Sequence, residues 1–164
     1  MNWKNSKRLV AIVAVVLGCT SCGNGAGTAE RDEFLAGRQL VVDGKYKEAT
    51  GPLEAFVTAH PNSKFCSRAG LFLGKAYLAQ DDMPQAKKWF QWTVDNHPTT
   101  LEGHKCRYKL AMCAVLEEDY GEAGERFAAL AEKPDGPLAA EATAWQRWLK
   151  KQAAAPPQAD AGDE

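Results

Sequence analysis

Residues 67–100, SRAGLFLGKAYLAQDDMPQAKKWFQWTVDNHPTT, decide the fold. The first half, to Gln80, places apolar residues at helical spacing and ends at the polar pair Asp81-Asp82. Pro84 then stands in the first turn of a second helix, where a missing N–H is no loss. That helix reads KKWFQWTVDN and stops before His97-Pro98, because the residue ahead of a proline is pushed out of the α region. Thr99-Thr100 here, like Asn62-Ser63 one unit earlier, offer side-chain oxygens to cap the helix that follows.

The same helix pair recurs on both sides. Gly37, Gly74 and Ala111 are spaced by 37 residues, as are Ala49, Ala86 and Ala123, and Leu53, Phe90 and Phe127. Tyr46, Met83 and Tyr120 keep that spacing, and so do Leu40, Tyr77 and Ala114. His60-Pro61 answers His97-Pro98, which makes these histidines part of a repeated turn. Asp43-Gly44 and Glu118-Asp119 mark the turns equivalent to Asp81-Asp82. A fixed period of this size is the mark of a solenoid. Gly51-Pro52 interrupts the second helix of the first unit, which must kink or start late, near Thr50. A last helix from Pro137 to Gln152 carries Leu138, Ala142, Trp145 and Leu149 on one stripe. Trp145 and Trp148 cover the open end of the third unit, and Gln146, Arg147, Lys150 and Lys151 supply a polar outer side.

The set Leu73-Gly74, Tyr77, Ala86, Phe90 and Pro98 resembles the tetratricopeptide repeat position by position. The resemblance implies an all-α, right-handed α-solenoid of three helix pairs with a capping helix over residues 29–152. It also implies that Gly37, Gly74 and Ala111 face Ala49, Ala86 and Ala123 at close approach. The period exceeds the usual length of about 34 residues, and the extra residues are expected to lengthen the first helix of the next unit. The longer form is similar to the repeats of bacterial outer-membrane assembly and cell-envelope lipoproteins.

The two ends differ from the middle. Residues 1–8 carry Lys4, Lys7 and Arg8, and residues 9–17 read LVAIVAVVL. A basic start followed by a short apolar run is a secretory signal, shorter than the roughly 20 apolar residues of a membrane span. Val16-Leu17-Gly18-Cys19 resembles a bacterial lipobox, which implies removal of residues 1–18 and a lipid on Cys19. Cys22 is the alternative position. Thr20, in place of the Asp of an inner-membrane retention signal, favours an outer-membrane anchor facing the periplasm. Residues 19–28 read as a flexible tether, and residues 153–164, rich in Ala, Pro and acid, as a disordered tail.

Charge and motif content narrow the function. Of 20 basic and 21 acidic residues, three basic ones fall in 1–18, leaving a net −4 afterwards. That is no footprint for nucleic acid. The sequence holds no nucleophile elbow, HExxH or phosphate-cradling glycine loop, so it points to no catalytic residue and no cofactor. Cys66, Cys106, Cys113 and His104 leave two alternatives to plain buried thiols, a Cys66–Cys106 disulfide and a metal-handling or cofactor-handling accessory role. The main reading is a membrane-anchored scaffold or adaptor for a protein or peptide. In the tetratricopeptide fold the first helices line a concave groove. The resemblance then places Arg31, Arg68 and Lys105 in one groove column and Phe34, Leu71 and Tyr108 in the next. Arg38, Lys75 and Met112 form a third, and Val41, Leu78 and Val115 a fourth. Lys105 and Lys109 resemble two basic positions of that family's carboxylate clamp, whose other positions fall on Phe34, Arg38 and Phe72 and do not match. Such a groove suits a partner with acidic and apolar groups. Trp89 and Trp92, three apart on a second helix, offer a convex-side interface as an alternative.

Overall fold

The structure is a computed structural model and describes residues 26–132 and 136–153. Seven helices follow one another: α1 Ala26–Val42, α2 Tyr46–Ala59, α3 Cys66–Leu78, α4 Met83–Asn96, α5 Leu101–Leu116, α6 Tyr120–Ala131 and α7 Ala139–Ala153. Each packs on the next, and the first helices α1, α3 and α5 also touch in sequence. This is the all-α solenoid of three tetratricopeptide-like helix pairs closed by a final helix. Residues 26–28 of the expected tether already belong to α1. The signal segment, Cys19, Cys22 and the tail from residue 154 lie outside the described residues.

Every first helix ends in the same way. Lys45, Asp82 and Asp119 donate their N–H to the carbonyls of Leu40, Tyr77 and Ala114, while Gly44, Asp81 and Glu118 donate to Val41, Leu78 and Val115. This is the Schellman arrangement, which needs a left-handed residue just past the helix. Gly44, Asp81 and Glu118 supply it, with φ of 74°, 58° and 62°. The second helices then start on capped ends, with Asp82 accepting from Gln85 N–H at 3.1 Å and Asp119 from Glu122 N–H at 2.9 Å. Lys45 has no capping side chain, so the first pair lacks this bond.

The links between pairs repeat as well. His60 and His97 close α2 and α4 by donating N–H to Phe56 and Thr93. Thr100 caps α5 as expected, accepting from Gly103 N–H at 3.0 Å. Before α3 the cap is displaced: the N-cap residue is Phe65, and the Ser63 hydroxyl accepts from Phe65 N–H instead. Helix α2 neither starts late nor breaks, but runs from Tyr46 through Pro52 to Ala59. Gly51 makes that feasible, since the clash that keeps a pre-proline residue out of the helix involves its Cβ. The cap helix begins at Ala139 and not at Pro137, because Leu138 takes a left-handed turn with φ 67°.

The core corrects one pairing. Gly37 and Gly74 were expected opposite Ala49 and Ala86, but they meet the large residues four positions further on. A Cβ on Gly37 would lie 2.8 Å from Leu53 Cδ2, and one on Gly74 would overlap the Phe90 ring. Ala111 and Phe127 share a core cluster in the same register. Ala49, Ala86 and Ala123 are also fully buried. Second helices therefore drive a bulky side chain into the notch left by a small residue on the first. The cap works through Trp145, whose ring stacks on Phe127 with centroids 5.6 Å apart and whose Nε1–H donates to Tyr108 Oη at 2.8 Å.

Two glycines give a direct check. Gly74→Ala should cost about 1–3 kcal/mol, because it overpacks the notch that receives Phe90. Gly124→Ala, inside α6 with open space around its Cβ, should instead gain up to about 1 kcal/mol. Urea denaturation of both variants measures the difference, and equal effects would show that the notch is not a close contact.

Candidate functional site: the first-helix face

The candidate site is the row of first helices, α1, α3 and α5. Of the twelve groove positions inferred from sequence, nine reach solvent and three do not. Phe34, Val41 and Leu71 are only 2%, 9% and 5% exposed and belong to the core. The cause is local. Phe34 is roofed by Phe65, stacked on it at 5.1 Å, and by Phe72 at 6.2 Å, both from the next unit. Leu71 is taken into the middle cluster with Cys106 and Leu110. The neighbours one residue on, Leu35 and Phe72, carry the apolar surface instead. The aromatic trio Phe34, Phe65 and Phe72 was the signal that could have shown this shift.

The remaining positions divide by charge. Arg31, Arg38, Arg68 and Lys75 are exposed and Lys105 is half-buried. Arg31 pairs with Asp32 at 3.4 Å and Arg68 with Glu102 at 3.3 Å. Lys75 has no such partner among the described residues. Its Nζ lies 5.6 Å from the centroid of the Phe72 ring, a cation–π distance. Packing around the ammonium lowers its pKa, and the positive charges of Lys109 and Lys105 lower it further. Three lysines thus converge where α3 meets α5. Tyr108, Met112, Leu78 and Val115 lie half-buried on the same helices. Tyr108 is also structural, since its ring packs edge-on to Phe127 and its hydroxyl holds Trp145.

The second helices offer less. Trp89 and Trp92 are half-buried, edge to face at 5.6 Å, and packed against the first core cluster. A Cβ on Gly70 would overlap the Thr93 hydroxyl and come within 3.1 Å of the Trp92 ring, so both side chains close on this glycine. Trp89 Nε1 and His97 Nε2 are buried without a hydrogen-bond partner among the described residues.

The thiols do not form a site. Cys66, Cys106 and Cys113 are buried and free, so no Cys66–Cys106 bond exists. Cys66 donates to the His60 carbonyl at 2.9 Å. Burial raises all three thiol pKa values, that of Cys106 to about 12. Among the described residues no three His, Cys, Asp or Glu side chains are placed to hold a metal ion. The metal-handling alternative built on Cys66, Cys106, Cys113 and His104 therefore has no geometric basis among the described residues, with Cys66 in the first core cluster and Cys106 and Cys113 in the middle one.

Comparison with known proteins agrees with the fold. No family model and no curated protein sequence matches the chain. Among solved structures it is similar to the Yersinia enterocolitica type III secretion chaperone SycD in complex with a peptide of the translocator YopD, with TM-score 0.64 and 17% identity. That match covers 79% of this chain and 97% of the chaperone. PcrH in complex with the chaperone-binding region of PopD gives 0.63 at 18% identity, over 79% and 97% of the two chains. PcrH from Pseudomonas aeruginosa alone gives 0.61 at 18%, over 84% and 99%. At these identities the likeness concerns the fold.

The buried thiols set a pH dependence. An unfolded thiol releases its proton near 9.0, while folded Cys106 keeps it to about 12. Between those values the native state binds the extra proton, so stability is intact below the lower one and falls as pH rises through the window. The urea midpoint should drop as pH rises from about 9 towards about 12, and less steeply in Cys106→Ala. Parallel slopes for the two proteins would remove Cys106 from the account.

Proposed function

We propose that this chain is a membrane-anchored adaptor that holds a segment of another protein on the face made by α1, α3 and α5. The observation that carries the reading is the lysine cluster Lys75, Lys105 and Lys109 beside Phe72, Leu78, Met112 and Val115. Lys75 has no ion-pair partner among the described residues and feels the positive charges of Lys109 and Lys105, and an acidic group on a partner relieves that. The half-buried apolar side chains around them bury further when a segment lies across the row. Charge then orients the partner, at about 0.2–1 kcal/mol per exposed pair, and apolar anchors supply the affinity. The similar solved structures support a segment-holding role, since SycD was seen with a peptide of the translocator YopD and PcrH with the chaperone-binding region of PopD.

The anchor belongs to the same proposal. It rests on the basic and apolar start and on the VLGC run ending at Cys19. Among the described residues no helix is long and apolar enough to cross a membrane. An outer-membrane position facing the periplasm follows from the lipobox resemblance and Thr20.

Both parts are testable. A photo-crosslinking residue at Lys75 should capture the same partner as one at Met112, while one at Lys88 on α4 should not. With that partner purified, Met112→Ala should weaken binding about tenfold or more, as expected for loss of a buried side chain. Lys105→Ala should cost less than about fivefold and flatten the salt dependence. Capture from Lys88 alone would move the site to the second helices. Cys19→Ser should release the protein from the membrane fraction, and continued attachment would assign the anchor to Cys22 or to an uncleaved signal.

A further inference from the structure

A second surface lies where the end of α5 meets α6 and α7. Leu116, Tyr120 and Trp148 are 60%, 45% and 38% exposed. Leu116 ends α5, Tyr120 opens α6 after a three-residue turn, and the Tyr120 and Trp148 rings meet edge to face at 6.1 Å. Trp148 in turn meets Trp145 at 5.5 Å. The repeat register shows that this corner is peculiar to the third unit. Tyr46 and Met83, which correspond to Tyr120, are half-buried against the core clusters.

The charges around the corner fall into two groups, acids beside Tyr120 and a base beside Trp148. On one flank stands the turn Glu117-Glu118-Asp119, whose equivalents are Gln80-Asp81-Asp82 and Asp43-Gly44-Lys45. Only the third unit has three acids in succession there. On α7 the exposed Lys151 lies on the Trp148 side of the helix at i+3. Glu117 is engaged with Lys87 at 2.7 Å and Asp119 caps α6. Glu118 and Lys151 have no ion-pair partner among the described residues. A partner of one sign would be repelled by one flank. A copy of the same surface, turned by a two-fold axis, sets acid against base on both sides, since in such an interface residue i meets j and j meets i.

We propose that the corner of Leu116, Tyr120 and Trp148 is a two-fold interface between two copies of this chain, with Glu118 of each facing Lys151 of the other. The aromatic pair and Leu116 form its apolar centre, the composition enriched at the cores of interfaces.

Sedimentation of the full chain over a range of concentrations tests this. Leu116→Glu, at a site exposed enough to leave the melting curve unchanged, should weaken dimerisation about thirtyfold, the size of an interface hot spot. Glu118→Lys and Lys151→Glu should each weaken it, and the two changes together in one chain should restore it. A wild-type chain that stays monomeric throughout would overturn the proposal, as would a Leu116→Glu variant that associates like wild type. The corner would then be covered by another protein or by residues 154–164. Loss of dimer in Lys151→Glu, on α7, leaves partner capture at Lys75 unaffected, so the two readings fail separately.

Discussion

The whole solenoid depends on one contact, the insertion of a bulky side chain from a second helix into a notch on the first. Phe90 lies where the Cβ of Gly74 would be, and Leu53 does the same at Gly37. The contact fixes the distance between the two helices of a pair, and therefore where each first helix stands relative to the next. The left-handed residues Gly44, Asp81 and Glu118 serve that geometry by turning the chain sharply enough for the second helix to return along the first. Two of the three are not glycine, so the turn is held by its pair of hydrogen bonds and not by a free choice of backbone.

Much of this was legible from the residues. The period of 37 placed the turns, and the dipeptides His60-Pro61 and His97-Pro98 placed the breaks between pairs. Periodicity fixes which residues are equivalent, but not which partner each one meets. For that reason Gly74 was matched to Ala86, one turn away from Phe90. A consensus likewise cannot say how deep a column sits. Phe34 and Leu71 occupy groove columns by equivalence, yet the next unit covers them. Gly51-Pro52 pointed to a kink or a late start, and the late start is excluded because α2 already begins at Tyr46. Cys66, Cys106 and Cys113 had spacings compatible with several chemistries, and only their burial as free thiols distinguishes among them.

The first-helix face shows how a chain of near-neutral charge builds a local field. Its cations are not in excess overall, since the sequence carries 20 basic and 21 acidic residues. They differ in company. Lys87 and Arg126 on second helices have carboxylates at 2.7 Å. Lys75 has an aromatic ring and two lysines. A field of this kind acts over about one Debye length, near 8 Å in physiological salt, which is enough to select the orientation of a segment already in contact.

The cap helix has a consequence for motion. Interior helices are held from both sides, whereas α7 leans on α6 and reaches back to α5 through Trp145 and Tyr108. In a one-dimensional stack each unit is as stable as its neighbours make it. Amide protons should therefore exchange along a gradient, fastest in α7 and slowest in α3 and α4, where Phe90 is locked in its notch. A ligand that leans on Tyr108 would shift that gradient by stiffening the one side chain that ties the last helix to the row behind it.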